Sequence, residues 1–107
     1  MSSLDEIIKS GMLKKVEELL EKAIEAKNKA LDAEVDYKKE KARLRLETDW
    51  NEVSDTRMTD KDKDAYVNFH SLPLKEQADD LKAEADYQWE LWELQKIVLR
   101  KGGCNHD

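Results

Sequence analysis

The chain has 107 residues, enough for one domain, with 41% charged and 39% apolar residues, three Gly, one Pro and a formal net charge of −6. That acidic balance argues against a dedicated nucleic-acid binder, because phosphate neutralisation supplies most of such affinity, and the single Cys104 has no partner for an internal disulfide. No apolar run nears the ~20 residues of a membrane-spanning helix, and "MSSLDEIIKS" lacks the basic start and apolar core of a signal peptide, so a soluble cytoplasmic protein is expected.

Ser3-Leu4-Asp5-Glu6 reads as a capping box, in which the Ser hydroxyl and Glu carboxylate satisfy free backbone N–H groups. The helical turn that follows is expected to be interrupted at Ser10-Gly11. From Met12 to about Thr48 there is no Gly and no Pro. The residues are good helix formers, and one helix over 12–48 would be roughly 55 Å long. Pairs of opposite charge at i, i+4 support it, among them Glu25/Lys29, Glu34/Lys38 and Arg43/Glu47.

"DWNEVSDTRM", 49–58, gathers Asn, Ser, Asp and Thr and loses the helical period, so it is the predicted connection. A new helix is predicted from Thr59, with Asp62 completing an Asp variant of the capping box. Ser71-Leu72-Pro73 places a cap before a proline, which predicts a kink or a fresh start there. The second arm is therefore divided into helices over 60–70 and 72–101, ended by Gly102-Gly103 and followed by a frayed tail to residue 107.

Apolar residues recur at coiled-coil spacing. Val16, Leu19, Ala23, Ala26, Ala30, Ala33, Tyr37 and Leu44 form one row in the first helix, and Leu20, Ile24, Leu31, Val35, Ala42 and Leu46 lie on an adjacent face. In the second arm Leu74, Ala78, Leu81, Ala85, Trp92 and Leu99 form a row, and Ala83, Tyr87, Leu91, Leu94 and Val98 form another. Two long helices with a short connection fold back antiparallel. The predicted fold is thus a single all-α domain over 1–107, a long antiparallel coiled-coil-like hairpin with a bent or broken second arm. Each helix carries more apolar surface than one neighbour can cover, so assembly into a helical bundle is expected, as a homo-oligomer and preferably a dimer.

"AEVDYKKE" at 33–40 and "AEADYQWE" at 83–90 share one frame, Ala-Glu-x-Asp-Tyr-x-x-Glu. Ala33/Tyr37 and Ala83/Tyr87 are i, i+4 pairs, so the frame predicts a helix-packing surface used twice rather than a duplicated active site. Trp89, Trp92, Leu94, Val98, Tyr37 and Tyr87 are the candidate residues for self-association or partner contact.

Catalytic and metal motifs fail on inspection. "DKDKDAYVNFHS", 60–71, has the D-x-D-x-D of a calcium loop but Ala65 where Gly must turn the chain and Ser71 where a bidentate Glu must close the site. It reads instead as the acidic first turn of a helix. His70 and His106 have no second ligand at metal spacing, and the tail "CNHD" pre-organises nothing. Glu17, Glu18, Glu21, Glu76 and Asp79 can be arranged on facing helices as in all-α nucleotide hydrolases, which makes a metal-dependent hydrolase the third reading. No catalytic residue, cofactor or metal is predicted, and the chain is read as a non-enzyme.

Charge is uneven along the chain. Lys38, Lys39, Lys41, Arg43 and Arg45 form a basic block next to Trp50, which makes a nucleic-acid-associated factor the second reading, with Trp50 available for base stacking. The acidic stretch over 76–93 suits a basic surface on a protein partner.

The runs "Ala33…Tyr37-Lys38…Lys41-Ala42-Arg43-Leu44", "Thr59…Lys61…Lys63…Ala65-Tyr66-Val67" and "Leu74-Lys75…Ala83…Asp86-Tyr87" resemble small helical proteins encoded by bacteriophages and prophages of Gram-positive bacteria. The resemblance implies a phage origin and a small accessory or anti-defence protein in a bacterial host cell; it carries over no catalytic residues. Pro73 and the aromatic-rich 87–92 depart from it. The leading expectation is a self-associating helical protein that binds another macromolecule.

Overall fold

The computed structural model describes residues 3–103. Helix α1 runs Ser3–Glu47 over 45 residues, the single-turn helix α2 spans Trp50–Val53, and α3 runs Asp60–Gly103 over 44 residues. The long helices pack against each other as an extended hairpin with principal extents of 81 × 19 × 14 Å. Met1, Ser2, the Ser3 side chain and Cys104–Asp107 lie outside the described residues, and with them the first capping box and the tail.

Two expected interruptions are absent. α1 passes through Ser10-Gly11 without a break. A helical Gly costs only about 1 kcal/mol relative to Ala, too little to stop a helix extended from either side. α3 is likewise continuous through Pro73, so its division at 71–73 is corrected to a single helix. Pro73 removes the N–H that would bond to the Phe69 carbonyl, but that turn is open to water, with Phe69 itself 71% exposed. Beside it the buried Ser71 hydroxyl donates to the Val67 carbonyl at 2.6 Å, adding a bond where the ladder is thinnest.

The start of α3 follows the sequence. Thr59 N–H donates to Asp62 Oδ2 and Asp62 N–H donates to Thr59 Oγ1, both at 3.1 Å, a reciprocal capping box. The Thr59 backbone N–H, and after it the Thr59 side chain beside the carboxylate, hold the Asp62 carboxyl below the usual carboxylate range.

The seam between the helices alternates steps of four and three residues. On α3 it runs Val67, Ser71, Leu74, Ala78, Leu81, Ala85, Gln88, Trp92, Gln95, Leu99, all buried or half-buried. On α1 the predicted row from Val16 to Leu44 is buried or half-buried in the same way, with Glu40 filling the gap in it. The most enclosed residues are small, namely Ala23, Ser71, Ala78 and Ala85, together with Val67. Small side chains bring the helices close, at the cost of a thin core. Positions share a level when their numbers sum to about 107, one residue being ~1.5 Å of rise. Arg45 sets this register, since it bridges to both Asp60 and Asp64 and so lies between their levels.

Candidate interaction surface

A hairpin has two faces, and the two differ. On one, α1 and α3 flank a shallow groove of about 360 Å³ floored by Ala23, Ala30, Ala78 and Ala85. The groove exists because seven-residue spacing puts small residues level on both helices, leaving space that larger flanking side chains border. Tyr37 and Trp89 stand at its two ends, and Lys75, Asp79, Lys82 and Asp86 line its α3 side. On the opposite face a smaller depression is bordered by Lys22, Glu25, Lys29, Glu84 and Gln88.

The predicted contact residues do not form one patch. Trp89, 40% exposed, belongs to the groove face, whereas Trp92 turns into the seam. The two rings meet at 4.7 Å between centroids, and Lys96 Nζ sits 4.0 Å from the Trp92 ring centre. Trp92 Nε1 is enclosed without a hydrogen-bond partner among the described residues, as is Gln88 Oε1 one turn earlier. Leu94 at 59%, Tyr87 at 54% and Val98 at 49% are exposed on another side of α3. Five positions from Trp89 to Leu94 turn the helix by about 140° beyond a full circle, so one flat partner cannot cover both.

The duplicated frame also divides. Ala33 and Tyr37 lie on the seam, half-buried, whereas Ala83 and Tyr87 are exposed. The α3 seam passes through Leu81 and Ala85, so Ala83 falls two positions off it, roughly on the far side of the helix. The same eight-residue frame therefore packs once and faces solvent once. One packing surface used twice is not what the hairpin contains.

The basic block is largely matched by acids of the same chain. Arg43 makes a two-pronged bond to Glu40, at 2.7 and 2.6 Å, and lies 3.6 Å from Glu47. The Arg43 guanidinium holds the Glu40 carboxyl below the usual range. Lys38 pairs with Glu34 at 3.2 Å. Arg45 reaches across to α3, binding Asp64 and, at 3.3 Å, Asp60. Lys41 stands 5.3 Å from the Tyr37 ring centre and Lys39 is exposed. Trp50 and Tyr66 meet in a T-shaped contact at 5.2 Å between ring centres, and Lys63 Nζ lies 5.6 Å from the Trp50 ring centre.

Asp60 and Asp62 lie in the first turn of α3, as the sequence predicts. Glu18 is level with residue 89, about 15 Å along the rod from Asp79, so the acids of the hydrolase reading do not converge. Among the described residues no three His, Cys, Asp or Glu side chains are placed to hold a metal ion, and no helix is long and apolar enough to cross a membrane. Against this geometry, comparison with protein-family models, curated proteins and solved structures finds no match to the chain.

Proposed function

We propose that the chain is a non-enzymatic, self-associating helical protein that acts by binding another macromolecule. One observation carries the reading. The hairpin closes a single seam, and apolar rows on both helices stay outside it. Ile24, Leu31 and Val35 remain 47–49% exposed on α1, and Tyr87, Leu94 and Val98 remain 49–59% exposed on α3. Repeated large apolar groups outside a closed seam mark contact surface rather than scatter; a second hairpin covers one side by the same coiled-coil packing, which leaves Tyr87, Leu94 and Val98 on another side of α3 for the other macromolecule. The phage-protein resemblance extends this to an accessory role in which a host or phage macromolecule is bound rather than turned over.

Light scattering over a concentration series tests self-association directly. The expected result is a mass twice the 12.5 kDa of the chain that persists in high salt. A mass that stays at one chain throughout overturns the self-associating part of the reading.

A further inference from the structure

The groove face carries a pattern that reads alike in both directions. Along α3 its flank runs Leu72, Lys75, Asp79, Lys82, Asp86, Trp89, an apolar group, four charges of alternating sign, and an apolar group. Turned end over end about a point between Asp80 and Leu81, Leu72 falls on Trp89, Lys75 on Asp86, and Asp79 on Lys82. Every charge meets its opposite. All four charged residues are exposed, and none has an ion-pair partner among the described residues. Within the helix Lys precedes Asp by four positions in both pairs, the weaker order for an intrahelical ion pair.

The adjoining flank of α1 has its own reversal point, between Lys27 and Asn28. About it Leu20 falls on Val35, Ile24 on Leu31, and Glu17 on Lys38. The two reversal points are independent features of sequence, yet their positions sum to 108, within a residue of the hairpin register of about 107, or ~1.5 Å of rise. A single axis crossing the rod at that level therefore serves both helices.

We infer that the groove face is where a second copy of this chain docks, two-fold and antiparallel, α1 on α1 and α3 on α3, enclosing the groove in a four-helix bundle. A two-fold contact uses one patch on both partners and requires that patch to complement itself. The alternative stacking, α1 over the partner's α3, sets Ile24 and Leu31 against Lys75, Asp79, Lys82 and Asp86, which places unpaired charge against apolar groups. The antiparallel arrangement instead keeps Ile24 on Leu31, and sets Lys75 and Asp79 of one copy on Asp86 and Lys82 of the other.

The inference rests on the self-association reading, and the experiment separates the two. Asp79→Lys and Lys82→Asp are made as separate variants, each confirmed helical by circular dichroism. In either homodimer both contacts between positions 79 and 82 become like-charged, while in a mixture of the two both become opposite again. Each variant alone is expected to dimerise more weakly by roughly tenfold. Equimolar mixing is expected to restore native-like dimer, read as heterodimer by native mass spectrometry. If the native chain dimerises and both variants dimerise equally well and mix statistically, this face is not the interface, while self-association stands. If the native chain is monomeric at every concentration, both fall. Ile24→Glu gives a second arm on the apolar side, with loss of dimer expected and an unchanged dimer overturning the proposed face.

Discussion

Thr59 and Asp62 show how two side chains settle where an element begins. Each satisfies the other's backbone N–H at 3.1 Å, so α3 starts at Asp60 rather than several residues away. Thr59→Ala is expected to lower stability by about 1 kcal/mol, typical of a lost cap, read from the urea midpoint. Asp62 adds a pH dependence of defined sign. Its folded pKa lies below its unfolded value, so the cap's contribution is present above the unfolded value and is lost as pH falls through the folded one. Melting measured from neutral pH into that acid range should show a smaller loss for Asp62→Asn than for the native chain. Gly11 offers the opposite case. A Cβ there meets nothing within 4 Å, so Gly11→Ala should raise stability by about 0.5–1 kcal/mol, and a decrease would mean that the break expected at Ser10-Gly11 matters after all.

At the level of elements, the seam was legible and the interruptions were not. The rows from Val16 to Leu44 and from Leu74 to Leu99 could be read because burial follows a 3,4 repeat that no other element produces. The Thr59 start was equally readable, since a capping box is local. Pro73 misled because local rules describe an isolated helix, whereas α3 is held against α1 on both sides of the proline, from Val67 to Ala78. Tertiary packing outweighs the missing bond. The ladder still lacks that bond, so Pro73→Ala is expected to stabilise the hairpin by roughly 1–3 kcal/mol, measured as a rise in denaturant midpoint at unchanged slope. The candidate contact residues were half legible. Composition pointed to Trp89, Trp92, Leu94 and Tyr87, but which of them share a side depends on seam phase. The paired Tyr frames, alike in sequence, fall on different sides of that phase.

For the whole molecule, the register links features that are far apart in the chain. The same level relation that sets Arg45 beside Asp64 aligns the reversal points of α1 and α3, and it could not be read before the hairpin was closed. The rod shape follows from the same pairing. Its radius of gyration is 23.4 Å, against about 13 Å for a globular chain of this length. In a sieving column such a rod sweeps out the volume of a much larger sphere and leaves early. A single chain would then elute where a compact oligomer is expected, and a lengthwise-stacked pair would elute only slightly ahead of it, because doubling the thickness leaves the long axis unchanged. Retention time is nearly blind to the one step in question, whereas scattered intensity doubles with it.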